Sequence, residues 1–286
     1  MLIALIRAMR PKQWAKNVLL FAALVFDRQL GNPTAVLDTL AGFALFSLTA
    51  SAVYLVNDLR DVEADRQHPT KRNRPIASGA LPVPTAKIVA VILPLLILPL
   101  AWRLSPAFLT ILALYYTLNI LYSIWLKHQP IIDVLVLASF YILRVGAGVV
   151  LIQVERFSPW LYVAMLFLAL FLGIGKRRAE LAATEGSGRK VLQFYTLEFL
   201  DQLMIIVLTI AIVTYSLYTF SAPNLPENHT MMLTIPFVIY AIFRYLWLVK
   251  VGGHGEAPED LLFSDRPLQA DLVLWAATIF VIFYLS

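Results

Sequence analysis

Residues 36–56 read VLDTLAGFALFSLTASAVYLV and run straight into Asn57-Asp58-Leu59-Arg60-Asp61-Val62-Glu63-Ala64-Asp65. The apolar run is long enough to cross a bilayer, which takes roughly 20 residues. Four acids, Asp58, Asp61, Glu63 and Asp65, then crowd the end of that span. Comparable apolar stretches lie at roughly 17–31, 84–104, 106–126, 130–152, 158–175, 199–220, 231–250 and 268–286. The chain of 286 residues is 60% hydrophobic and 14% charged, with a mean hydropathy of +0.76. A soluble domain carries about 25% charged residues. The composition therefore excludes an ordinary soluble enzyme and a disordered chain. It predicts an all-α, polytopic membrane bundle of about nine transmembrane helices, one domain over 1–286 with no internal repeat. With no cysteine, disulfides, iron–sulfur clusters and thiolate metal sites are excluded.

The net charge of +5 matters less than its distribution. Eighteen of the 23 Lys and Arg residues fall before span 1 or in and at the margins of the loops after spans 2, 4, 6 and 8. The opposite loops hold Arg28, Arg103 and Arg156, and Arg144 and Arg244 lie within spans. Cytoplasmic loops carry the excess of cations, so the amino terminus and the even-numbered loops are expected in the cytoplasm. In bacteria that means the inner membrane. Leu2, Ile3, Leu5, Ile6 and Met9 recur at helical spacing, which predicts a short helix lying on the cytoplasmic leaflet.

Asn57, Asp61 and Asp65 are spaced i, i+4, i+8 and share one helix face. Asp58 sits beside them. An oxygen-only ligand set without His or Cys suits Mg²⁺, which completes its shell with water and substrate phosphates. The plainer reading is a solvated helix end, but clustered carboxylates at a membrane helix terminus are costly without a cation. Directly after come His68-Pro69-Thr70-Lys71-Arg72-Asn73-Arg74-Pro75 and Ser78-Gly79. Carboxylates holding a metal beside cations holding phosphate oxygens are what a Mg²⁺–diphosphate complex requires. A topology signal explains the cations but not the acids. His68 reads as a loop hydrogen-bond partner. Further polar groups fall on the same side: Lys16 and Asn17, Tyr122 and Lys127, Asp133, and Lys176, Arg177 and Glu180. Arg144, about three turns into span 5, is expensive in lipid and is expected to line a cavity or meet a partner. Arg244, nearer a membrane end, can snorkel.

The pattern Asn57-Asp58-x-x-Asp61-x-x-x-Asp65, followed by Asn73-Arg74-Pro75 and Ser78-Gly79, resembles the first aspartate-rich motif of the UbiA superfamily. The resemblance implies nine helices around a central cavity and Mg²⁺ on Asn57, Asp61 and Asp65, with Asp58, Asp61 and Asp65 catalytic. Most members carry a second aspartate-rich motif after span 6, where this chain reads Gly173-Ile174-Gly175-Lys176-Arg177-Arg178-Ala179-Glu180-Leu181. That departure resembles the subgroup moving phosphoribose from phosphoribosyl diphosphate to a polyprenyl phosphate of the decaprenyl type. Arg10-Pro11-Lys12-Gln13-Trp14-Ala15-Lys16-Asn17, Leu126-Lys127-His128 with Asp133-Val134, and Leu143-Arg144 carry the same likeness. So do Pro258-Glu259-Asp260 and Asp265-Arg266-Pro267-Leu268.

On this likeness Lys16, Asn17, Lys71, Arg72, Arg74, Tyr122, Lys127, Asp133, Arg144, Lys176 and Arg177 bind the two substrates. It also implies a homotrimer and an envelope-glycan product. The alternative within the superfamily is transfer of a prenyl group to an aromatic or lipid acceptor. A carrier for anionic lipids is a third reading, against which all the polar clusters fall on one side.

Overall fold

The computed structural model describes residues 1–154, 157–184, 190–252, 261 and 264–285. Arg156, Arg189 and Pro258-Glu259-Asp260 lie outside them. All regular elements among the described residues are helical. The helices are α1 (Leu2–Ala8), α2 (Phe21–Phe26), α3 (Pro33–Arg60), α4 (Val62–Gln67), α5 (Val83–Leu104) and α6 (Pro106–Ile124). They continue with α7 (Ile132–Leu151), α8 (Pro159–Thr184), α9 (Leu197–Ser221), α10 (Ile235–Lys250) and α11 (Arg266–Tyr284). Eight are long and apolar enough to cross a membrane: α3, α5 to α9, α10 with the turn before it, and α11. Helices suit lipid because every backbone group is satisfied within the segment.

Those eight match the expected spans within a few residues, apart from α8, which runs on beyond its expected end at residue 175 to Thr184. The first expected span, 17–31, is different. The chain there is a 3-10 segment, Pro11–Leu20, then the short α2, then a 3-10 turn at Gln29–Gly31. Asn17 is fully buried and bonds across to Ser47 of α3, so this stretch is an arm built of short helical pieces rather than one continuous helix.

Helix starts follow local rules. Asn32 caps α3 by accepting from Thr34 N and Ala35 N at 3.1 and 3.3 Å, with Pro33 next. Thr196 caps α9 through Phe199 N at 3.1 Å, and Asp265 caps α11 through Leu268 N at 2.9 Å. A side-chain acceptor satisfies an otherwise unpaired helical N–H, and proline at the first turn has none to lose.

The chain forms two compact units, Met1–Ile124 with Leu143–Val154, and Trp125–Ile142 with Glu155–Ser286. In the first, α3 is the organising helix. It packs on α5, α6 and the 3-10 arm, and its apolar window is 61% buried against 17% for α5. Leu55, Ile76, Leu81, Ala86 and Ala90 form a small core with Ala8 of α1. The outer faces of α1 (Leu2, Ile3) and α5 (Ile88, Val91, Leu95, Trp102) are exposed and apolar, as lipid-facing surfaces must be.

Gly148 of α7 lets the arm come close: a Cβ there would stand 2.0 Å from the Leu20 carbonyl oxygen. The obstacle is backbone, which cannot rotate away. Gly148→Ala is therefore expected to lower stability by about 1–3 kcal/mol, measured as a fall in the thermal unfolding midpoint. In the second unit α8 packs along α9, and α10 against α9 and α11. Its core holds Val134, Phe171, Ile174, Leu192, Leu200, Met204, Ile242, Tyr245 and Leu248.

Candidate active site

The last turn of α3 and the turn after it carry the acids. The helix break is at Asp61, yet Asp61 N still bonds to Asn57 O at 3.0 Å and Asp65 N to Asp61 O at 2.8 Å. The helical path thus carries through. Asp58 and Asp65, two turns apart, are 2% and 3% exposed. One guanidinium nitrogen, Arg74 Nη1, donates to Asp58 Oδ1 at 3.1 Å and to Asp65 Oδ2 at 2.7 Å. Arg10 Nη2 donates to the same Asp58 oxygen at 2.6 Å, and its guanidinium lies 4.7 Å from the Tyr54 ring centre. Helical spacing alone groups Asn57, Asp61 and Asp65. The structure instead couples Asp58 to Asp65 and leaves Asp61 half-exposed, 3.7 Å from Arg60.

Arg10 was not among the expected ligands. Its backbone is left-handed, φ +53°, although it precedes proline, where extended backbone is preferred. Such conformations cost of order 1–3 kcal/mol. The Asp58 and Tyr54 contacts hold it there. Arg60 anchors the end of α3 to α6 through the Ser123 carbonyl at 2.6 Å.

His68 Nδ1 accepts from Thr70 N at 3.3 Å and Lys71 N at 3.4 Å, the loop role its sequence context suggests. It shapes the 3-10 turn Lys71–Asn73. Lys71 and Arg72 are exposed and make no side-chain hydrogen bond or ion pair among the described residues.

Asn57 Oδ1 and Asp58 Oδ2 are buried without a partner. A buried polar atom without a partner costs about 1–3 kcal/mol, so these oxygens are suited to an incoming ligand. Among the described residues no three Asp, Glu or His side chains converge as a metal cage. A Mg²⁺ held by a few side-chain oxygens and completed by substrate phosphates fits this donor set. A fully protein-ligated ion does not.

Deeper in the first unit, Arg144 is 5% exposed. Its Nε donates to Asn17 Oδ1 at 2.8 Å and its Nη2 to the Tyr115 hydroxyl at 3.1 Å. The rings of Phe46 and Tyr115 lie 5.5 and 5.1 Å from it. Asn17 Nδ2 donates onward to Ser47 at 2.9 Å, and Trp14 Nε1 to Ser51 at 3.0 Å. The arm is thereby tied to α3 and α7. Lys16 and Tyr122 of this unit are partly buried and make contacts of their own.

In the second unit Asp133 and Arg177 are both fully buried. Arg177 Nε donates to Asp133 Oδ2 at 2.5 Å and Nη1 to Glu180 Oε2 at 2.7 Å. The Tyr195 hydroxyl donates to Asp133 Oδ1 at 2.7 Å and accepts from Ile131 N at 2.5 Å. Ile131 has φ +67°, and Ile132 N bonds to Pro130 O at 2.7 Å, a strained γ-turn for a β-branched residue. Arg177 and Asp133, expected as substrate ligands, here hold the entry to α7 in place. Lys127 and Lys176 are partly buried and also engaged. Arg178 and Lys250 share Asp201 at 2.6 and 3.2 Å. Arg244 does not snorkel alone. It pairs with Asp265 at 2.8 Å.

Burial, and then the bond to Asp133, raise the Tyr195 hydroxyl above the usual tyrosine pKa. Its neutral form is favoured on folding, so this contribution is complete below the unfolded value of about 10 and is lost as pH rises through the raised folded value. Tyr195→Phe is expected to cost about 1–3 kcal/mol near neutral pH and to flatten the alkaline fall in stability, measured by unfolding midpoints from pH 8 upward.

The sequence pattern of the UbiA prenyltransferase family matches residues 18–264. The chain belongs to the UbiA prenyltransferase family. It is a multi-pass membrane transferase. The decaprenyl-phosphate phosphoribosyltransferase of Mycobacterium tuberculosis is 40% identical over 96% of this chain and 92% of its own length. The enzyme of the same name from Mycolicibacterium smegmatis is 37% identical over 99% and 93%. The UbiA homologue of Archaeoglobus fulgidus bound to DMAPP and Mg²⁺ shares the fold, with a TM-score of 0.75, 19% identity and 99% of each chain covered.

Proposed function

We propose that this UbiA-family enzyme transfers 5-phosphoribose from phosphoribosyl diphosphate to a polyprenyl phosphate, releasing diphosphate at the cytoplasmic face. The observation that carries the reading is the near full-length identity to decaprenyl-phosphate phosphoribosyltransferases. The charge pattern agrees with it. In the segment after α3 the acids are matched by arginines, and Lys71 and Arg72 remain in excess. Beyond α8's apolar run Glu180 and Asp201 are tied to Arg177 and Arg178 rather than left for a metal. Two phosphate-bearing substrates call for such a cationic surplus, and a neutral aromatic acceptor does not.

Asn57, Asp61 and Asp65, with Asp58 beside them, would hold Mg²⁺, which when bound neutralises charge on the leaving diphosphate. Lys71, Arg72 and Arg74 hold the remaining diphosphate oxygens. Lys16, Asn17, Tyr122, Lys127, Arg144 and Lys176 serve the ribose hydroxyls, the 5-phosphate and the acceptor phosphate, and Asp133 and Arg177 position the segment that carries Lys127. The acceptor is a phosphomonoester with a second pKa near 6. It is ionised at neutral pH and needs no general base. The reaction replaces the C1–O bond to diphosphate by a C1–O bond to the acceptor, and the electron pair leaves with diphosphate. Rate comes from positioning and charge stabilisation.

Parallel reactions with labelled phosphoribosyl diphosphate and labelled prenyl diphosphate, each with polyprenyl phosphate and Mg²⁺, test the donor. Label is expected in lipid product from the first alone. Transfer from the prenyl diphosphate alone would refute the proposal in favour of prenyl transfer.

A further inference from the structure

The carboxylate cluster that ends α3 is already neutralised by the chain itself. Asp58 meets Arg10 and Arg74, Asp65 shares Arg74, Asp61 has Arg60 at 3.7 Å and Glu63 has Arg66 at 2.7 Å. Four carboxylates face four arginines, with Lys71 and Arg72 as cations beyond that balance. A divalent cation entering alone raises the local charge by two. It must also take carboxylate oxygens from guanidiniums that hold them. Asp58 and Asp65 are buried, so water screens little of that cost.

The position of Arg74 is the telling feature. A single nitrogen stands between two buried carboxylates two turns apart, at 3.1 and 2.7 Å. That is the place of a bridging cation. Arg10 grips Asp58 by the same oxygen, which leaves Asp58 Oδ2 and the neighbouring Asn57 Oδ1 without partners. When Arg74 swings away, a metal gains oxygens that are already ordered, and the freed guanidinium needs an anion. A diphosphate arriving with the metal supplies one, beside Lys71 and Arg72.

Resting on the phosphoribosyl-diphosphate reading above, we infer that Arg74 is an internal counter-ion that competes with the divalent metal for Asp58 and Asp65. The metal therefore enters together with the diphosphate and is not resident in the free enzyme. Arg74 thus has two states, on the carboxylates before the donor binds and on the donor afterwards. Arg10 stays on Asp58 throughout as a positioning residue.

Equilibrium dialysis of the full-length protein in detergent tests this, with radioactive Mn²⁺ as the metal and inorganic pyrophosphate as the anion. A protein-free chamber corrects for their complex in solution. The wild type is expected to retain Mn²⁺ at least tenfold more tightly with saturating pyrophosphate than without. Arg74→Gln is expected to bind Mn²⁺ alone at least tenfold more tightly than the wild type, and Arg74→Lys to behave as the wild type. Equal Mn²⁺ affinity of the wild type with and without pyrophosphate would overturn the inference, as would an Arg74→Gln protein that binds Mn²⁺ no more tightly. Either result leaves the diphosphate site standing if pyrophosphate is retained. Retention of neither ligand by the wild type would overturn both this inference and the proposed donor site. Should Arg74→Gln not fold, the wild-type comparison decides alone.

Discussion

Asp61→Ala is expected to lower transfer by on the order of 10²–10³-fold and to leave the unfolding midpoint unchanged. The two effects separate because of where Asp61 sits. Its side chain is 40% exposed, and its contact with Arg60 is long, at 3.7 Å. An exposed pair of that kind contributes about 0–1 kcal/mol. Its loss removes an oxygen from the group proposed to hold the metal and little else. Asp58→Ala should lower the midpoint as well as transfer. Its carboxylate is 3% exposed and accepts from two guanidiniums, so its loss leaves Arg10 without a carboxylate and Arg74 with Asp65 alone. The cost is roughly 2–3 kcal/mol, below that of a wholly buried pair because both arginines are about 30% exposed. Turnover and midpoint measured on the two purified variants check the contrast. Asp61→Ala with full activity contradicts the role given to that residue.

Arg177→Met is expected to destabilise the protein by about 3–5 kcal/mol, the cost of breaking a buried ion pair from one side. Asp133 would keep the Tyr195 hydroxyl but lose its countercharge. The double variant Arg177→Met with Asp133→Leu should recover much of the loss, since replacing both members of a buried pair by apolar groups is often neutral. Thermal unfolding of the single and double variants measures this. An unchanged midpoint in Arg177→Met would mean that the pair does not support the fold.

Eight of the spans were legible because a membrane helix needs a long apolar run, and such runs are hard to mistake. The arm at 11–31 was not, since Asn17 and Trp14 look like a polar entry to a span until they are seen to meet Ser47, Ser51 and Arg144. The acid cluster was legible as a motif, but its internal pairing was not. Helical spacing grouped Asn57, Asp61 and Asp65, whereas Arg74, folding back from a later loop, joins Asp58 to Asp65. Arg10 lies 48 residues from Asp58, and no local rule connects them. Arg177 carried the signal of a cation near a membrane end. Its partner, Asp133, is 44 residues away, so the sequence showed a charge and the fold showed a pair. Tyr195 had no signal at all, being a lone tyrosine in a polar connection.

The proposed phosphoribosyl transfer is tested with a doubly labelled donor, phosphoribosyl diphosphate carrying one label in the ribose and another in the diphosphate. Purified protein, polyprenyl phosphate and Mg²⁺ should move the ribose label into the lipid fraction and leave the diphosphate label in the water phase, in equal amounts. Both labels in the lipid, or neither, would contradict it.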